Sequence, residues 1–189
     1  MESFLVSFVT VAVAEMGDRT QLLSLMLATQ FRKPWPILAG VLVATIANHA
    51  AAGLIGSWLG GILTPAITDA VVGAGMVGMA LWSLKPDRED GEVAYGRRGA
   101  FLATTITIFV AEIGDKTQIA TVALAAGYPN LVAVVLGTTS GMVAANVPVI
   151  FLGSAFAGRL PMRALRYGAS VVFALLGLAF LARAAGLWS

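Results

Sequence analysis

Glu15-Met16-Gly17-Asp18-Arg19-Thr20-Gln21 returns as Glu112-Ile113-Gly114-Asp115-Lys116-Thr117-Gln118, changed only at Met16/Ile113 and Arg19/Lys116. Each copy sits inside a long apolar stretch. Residues 4–14 and 22–28 flank the first, and residues 101–111 and 119–126 flank the second. Carboxylates so deep in hydrocarbon are costly and are retained where something polar passes. The two heptads therefore read as one cation site near the middle of a bilayer.

The surrounding sequence repeats as well. At an offset of 97, residues 4–28 align without a gap on residues 101–125. Glu15, Gly17, Asp18, Thr20 and Gln21 keep their identity in register, as do Phe4, Leu5, Thr10, Val13, Ala14, Leu27 and Ala28. The same offset pairs Gly40 with Gly137, Ala47 with Ala144, His49 with Asn146 and Gly56-Ser57 with Gly153-Ser154. Apolar letters coincide easily between two membrane helices. Polar letters in register do not, so the chain is read as a duplication.

Of the 189 residues, 58% are hydrophobic and 12% charged. A soluble domain carries roughly 25% charged residues, so this chain has too few to cover a water-facing surface. The class expected is an all-α integral membrane protein. A bilayer is spanned by about 20 apolar residues. That rule marks six transmembrane helices, at 4–29, 37–59, 66–84, 99–126, 131–156 and 162–185. Phe31–Pro36, Gly60-Gly61 with Pro65, Gly127–Asn130 and Arg159–Pro161 supply the interruptions. The start Met1-Glu2-Ser3 lacks the basic opening of a cleavable signal peptide, so the first helix is expected to be retained.

Residues 85–98 form the one long polar segment. They divide the chain into a first three-helix repeat, 1–84, and a second, 99–189. An odd number of crossings per half makes the second half enter the membrane from the opposite side. The expected plan is two inverted three-helix repeats, common among secondary transporters. Arg32, Lys33, Lys85, Arg88, Arg97, Arg98, Arg159, Arg163 and Arg166 fall on one side, and Arg183 alone on the other. That bias puts the linker in the cytoplasm and both termini outside. Asp87, Glu89, Asp90 and Glu92 weigh little in the rule and read as a solvated face.

On a continuous helix, Glu15 and Asp18 would share a face, with Gln21 toward its edge. Glu112, Asp115 and Gln118 repeat the arrangement. These six are the candidate metal ligands, with Thr20 and Thr117 as secondary hydroxyl donors. Gly17 and Gly114 would let a neighbouring backbone approach. Arg19 and Lys116 each stand four residues after a glutamate, so an i, i+4 ion pair is available. The bland reading is that these charges only hold helices together. The count argues otherwise: four carboxylates against two cations leave −2, which one divalent ion or two protons would balance. Oxygen ligands suit hard cations such as Ca²⁺, Mg²⁺ and Mn²⁺. Without cysteine, and with His49 as the one histidine, a thiolate or multi-histidine site is absent. In a low-dielectric site, proton and metal compete for the same carboxylate oxygens.

The second and fifth spans carry Asn48, His49 and Asn146, with Thr138, Thr139 and Ser140 nearer the start of the fifth. Asn48 and Asn146 are secondary ligand candidates, or simple interhelical hydrogen bonds. His49 could relay protons or be a satisfied structural residue. Pro148 implies a kink and a released carbonyl. Asp69, at the start of the third span, suits a helix N-terminus. Gly73–Gly75 sits in an apolar run and reads as packing.

The doubled Glu-x-Gly-Asp-[Lys/Arg]-[Thr/Ser] pattern resembles the Gdt-like family of divalent cation/proton exchangers. That family includes Golgi Ca²⁺/Mn²⁺ transporters, chloroplast Mn²⁺ carriers and bacterial MneA-type manganese exporters. Both copies match without departure, and the likeness covers the whole chain. The resemblance implies that the paired motifs bind the ion and that cytosolic Mn²⁺ or Ca²⁺ leaves in exchange for protons. The ion would be substrate, with no cofactor and no enzymatic activity, in a bacterial inner or plasma membrane. Expected partners are the divalent cation, protons and the lipid bilayer; a homo-oligomer is compatible with the sequence. Basic residues are few and not interleaved with exposed aromatics, so no nucleic acid is expected. Rival readings are an exporter of an amino acid or other small solute, an intramembrane acid/base enzyme, and a scaffold held by buried ion pairs.

Overall fold

The computed structural model describes residues 1–85, 99–153 and 161–187. All regular structure among them is helical, in eight helices. These are α1 (Glu2–Glu15), α2 (Arg19–Phe31), α3 (Pro34–Ile62), α4 (Pro65–Ser83), α5 (Ala100–Glu112), α6 (Lys116–Gly127), α7 (Leu131–Leu152) and α8 (Met162–Ala184). Four of them, α3, α4, α7 and α8, are long and apolar enough to cross a membrane alone. The polar linker beyond Lys85, with Arg88, Arg97, Arg98 and its four acids, lies outside the described residues, as do residues 154–156 of the fifth predicted span and Arg159.

Two of the predicted spans are not continuous helices. Residues 4–29 fold as α1 and α2, and residues 99–126 as α5 and α6, each pair broken inside its heptad. The prolines also do more than end helices. Pro34 and Pro65 stand in the first turns of α3 and α4, where a missing N–H loses nothing. Thus α3 begins three residues before the expected start. α2 closes on Arg32 in the left-handed conformation (φ 52°), its N–H bonded to the Ala28 carbonyl. α7 continues through Pro148.

The helices run between two ends. At one, Ser57, Gly60, Asp69, Ala126, Tyr128 and Arg183 line a cavity of about 330 Å³. At the other, Ala28, Arg32, Pro34, Ile150 and Gly153 line one of about 430 Å³. Packing crosses between the halves of the sequence. α1 lies on α7, α5 and α6 lie on α3, and α4 lies on α8. The repeat offset reappears in the contacts. A Cβ on Gly40 would stand 2.8 Å from the Phe101 carbonyl oxygen and against Thr104. A Cβ on Gly137 would stand 2.5 Å from the Phe4 carbonyl oxygen and against Ser7. Gly40/Gly137, Phe4/Phe101 and Ser7/Thr104 are all partners at 97.

Two apolar clusters fill the interior. One joins Ala14, Val72, Met76, Leu124, Phe173 and Phe180, from α1, α4, α6 and α8. The other joins Leu23, Leu27, Val41, Ala100, Ile108 and Ile150, from α2, α3, α5 and α7. Outside them, Leu54, Trp58, Leu81, Val132, Leu175 and Leu178 are exposed. Such apolar helices fit an integral membrane protein. Gly73 packs on Gly177 and Leu181, as expected of a packing glycine, whereas Gly75 faces open space.

Candidate metal site

Each heptad unwinds its helix in the same way. Met16 (φ −61°, ψ 115°) and Ile113 (φ −64°, ψ 118°) are extended. Gly17 (φ 82°) and Gly114 (φ 74°) then turn left-handed. Asp18 (φ −85°, ψ 167°) and Asp115 (φ −77°, ψ 165°) are extended again and cap α2 and α6. Gln21 and Gln118 hold the turns shut: their Oε1 atoms accept from the N–H of Gly17 at 2.8 Å and of Gly114 at 2.7 Å. The Asp18 and Asp115 N–H groups return to the Glu15 and Glu112 carbonyls at 3.0 and 3.1 Å.

This corrects two sequence readings. Glu15 and Asp18 do not share one continuous helical face, because the backbone turns between them. Gly114 is not there for close packing either, since a Cβ on it would meet nothing within 4 Å. Its role is the left-handed turn, which costs an L-residue about 1–2 kcal/mol. Gly114→Ala should therefore lower stability by about that amount, and Gly114→Asn by less, because asparagine tolerates the conformation. Denaturation of both variants in detergent checks the order; equal losses would point to packing instead.

The broken ends of the two halves meet. Thr20 Oγ1 donates to Glu112 Oε1 at 2.6 Å, from one repeat to the other. Thr117 Oγ1 donates to Glu112 Oε2 at 3.0 Å. Lys116 Nζ stands 2.7 Å from Asp18 Oδ1, again across the repeats. Arg19 donates to the Ala111 carbonyl. The cations thus serve the opposite half rather than the glutamate four residues before them. Asp115 Oδ2 accepts from the Thr117 N–H at 3.4 Å and lies 3.3 Å from the Thr117 hydroxyl, competing with Glu112 for its one hydrogen. Asn146 Nδ2 donates to Glu15 Oε1 at 3.2 Å and to the Met142 carbonyl at 3.0 Å.

Glu15, Asp18, Thr20, Gln21, Glu112, Asp115, Lys116 and Thr117 are all buried. Glu15 lies within electrostatic reach of Glu112, Asp18 and Asp115. Glu15 Oε2 and Asn146 Oδ1 are buried without a hydrogen-bond partner among the described residues. Even so, no three His, Asp or Glu side chains among the described residues converge closely enough to hold a metal. The acids are drawn to lysine, threonine and asparagine donors instead of to a common point.

Asn48 donates to the Phe109 carbonyl at 3.0 Å and so joins α3 to α5. His49 is fully buried, and neither ring nitrogen has a hydrogen-bond partner among the described residues. Asp69 pairs with Arg183 at 3.3 Å, in keeping with a structural role. Sequence reasoning missed Ser83 and Arg166, which line a crevice beside Asp18 and Lys116. Helical spacing gives no sign of them, because they come from the far ends of α4 and α8.

Residues 3–91 and 100–187 each match the family model described as divalent cation/proton antiporter GDT1. A protein of Vibrio cholerae serotype O1, provisionally named a manganese exporter, is 46% identical over 180 residues, 95% of this chain and 90% of its own length. A GDT1-like protein of Synechocystis is 28% identical over 181 residues, 85% of this chain and 87% of its own. No solved structure matches significantly.

Proposed function

The chain belongs to the GDT1 family of divalent cation/proton antiporters, and from that membership we propose that it exports Mn²⁺ from the cytosol in exchange for protons, with Ca²⁺ as the alternative ion. The observation that carries this reading is the meeting of the two heptads, through Thr20 with Glu112 and Lys116 with Asp18. Glu15, Asp18, Glu112 and Asp115 supply charge. Gln21, Gln118, Thr20 and Thr117 supply neutral oxygens, and Asn146 reaches Glu15 from α7. In this arrangement every acid is held by the protein's own donors. The ion must displace them, and the threonine hydroxyls can then turn a lone pair toward it.

The fold on this reading is two inverted repeats, 1–84 and 99–189, joined by the cytoplasmic segment 85–98, with both termini outside. The broken helix pairs α1–α2 and α5–α6 would count as the first and fourth of six spans. Discontinuous helices that point their ends at a midplane site are the usual device of such transporters. Alternate exposure of the site then couples metal release to proton return.

Flux into proteoliposomes of Mn²⁺, Ca²⁺ and Mg²⁺, each with and without an imposed pH gradient, tests the proposal. Mn²⁺ uptake that rises with an opposing proton gradient is expected. Flux insensitive to the gradient, or displaced by amino acids rather than metals, would overturn it in favour of the solute-exporter reading.

A further inference from the structure

α4 and α8 break the likeness between the two halves. They run antiparallel, with Gly73 against Gly177 at the crossing and Asp69 paired to Arg183 at one end. Their buried faces keep the offset of 97. Val72, Met76, Ala80 and Ser83 on α4 match Ala169, Phe173, Gly177 and Phe180 on α8. At the last pair the chemistry diverges.

Phe180 is a plug. It packs over Gly127, where an added Cβ would collide with its ring, and meets Tyr128 edge-on at 5.8 Å. Its apolar cluster runs from Ala14, beside the first heptad, to Tyr128, on the wall of the cavity shared by Asp69 and Arg183. Bare hydrocarbon of that thickness offers a cation nothing in place of its water.

Ser83 is the opposite. It lines a crevice with Asp18, Lys116, Arg166 and Ala169, about 10 Å³ in volume, room for about one water. Its buried hydroxyl has no hydrogen-bond partner among the described residues. The apolar cluster on this side of the motifs draws on α2, α3, α5 and α7, and takes nothing from α4 or α8. Lys85 and Arg163, next along the two helices, are exposed.

We infer that Ser83, Arg166 and Ala169 line the ion's passage between the acidic site and the arginine-rich face, while Phe180 and its cluster close the route to the opposite face. This rests on the transport function and orientation proposed above. Ser83 gives a partly dehydrated cation an oxygen on its way to Asp18. Arg166, half-buried at the mouth, offsets the acids when no ion is near. Opening the other route requires Phe180 to leave Gly127.

The chain has no cysteine, so a single introduced thiol reports its own access. Ser83→Cys, in sealed vesicles of known orientation, should react with a small membrane-impermeant methanethiosulfonate from the cytosolic face, as the crevice opens in the transport cycle, and not from the outer face. With Mn²⁺ at about ten times its Kd, labelling should slow about tenfold, because only the metal-free fraction reacts. Adding Phe180→Ala should open Ser83→Cys to the outer face as well. If Ser83→Cys does not reach the membrane, Ala169→Cys reads the same crevice. Equal labelling from both faces of the single variant would overturn the passage. So would labelling indifferent to Mn²⁺ in a variant that still carries Mn²⁺. If the unmodified chain carries no Mn²⁺, the transport function fails, and the sidedness of labelling still decides for or against the passage.

Discussion

Glu112→Gln should lower metal/proton exchange in proteoliposomes by about a hundredfold or more, given that loss of even an outer-shell partner costs a metal site 10–100-fold. Glu15→Gln should do the same. The substitution keeps shape and removes charge. At Glu112 it is structurally mild: the amide oxygen still accepts from Thr20 or Thr117, and the hydroxyl facing the new amide can rotate to accept. At Glu15, Asn146 keeps an acceptor if the new amide presents its oxygen. Both variants should therefore reach the membrane, with stability changed by about 1 kcal/mol, the usual worth of one hydrogen bond. Transport should not survive, because removal of one carboxylate takes the cluster from −2 to −1, too little to neutralise a divalent ion. Normal exchange by both variants would sink the metal-site assignment.

The sequence carried the repeat, its register and the burial of the acids, because polar identities at a fixed offset inside apolar stretches are legible without coordinates. It also located the residues that meet, since Thr20, Glu112, Asp18 and Lys116 all lie in the heptads. It did not carry the breaks. Glu15-Met16-Gly17-Asp18 fits a helix by spacing, and glycine serves packing as readily as a left-handed turn; only the φ of Gly17 and Gly114 decides between them. Nor did it carry the pairing. Lys116 is well placed for Glu112 on a straight helix, yet the break swings it to Asp18 of the other half. Ser83 and Phe180 were hidden for a different reason: a serine at a helix end and a phenylalanine in an apolar run are unremarkable until the fold sets each beside its neighbours.

The buried pair of Lys116 and Asp18 separates a working site from a scaffold. Lys116→Met removes the ammonium 2.7 Å from Asp18 and leaves a carboxylate almost wholly buried. Breaking one side of such a pair costs about 3–5 kcal/mol. Arg19→Met, at the corresponding position, should cost less, about 1.5–3 kcal/mol, since Arg19 donates to a neutral carbonyl. Two positions that look equivalent in the heptads should thus differ in unfolding experiments in detergent. The double variant Asp18→Asn/Lys116→Met takes the charges out together and should recover most of the lost stability, because a buried ion pair adds little over a neutral replacement. Transport is the decisive readout. If the pair only clamps the halves, the double variant regains stability and exchange together. If Asp18 serves the ion, stability returns and exchange does not, and restoring Asp18 beside Lys116→Arg brings exchange back, because a guanidinium keeps the charge that holds the acid in place.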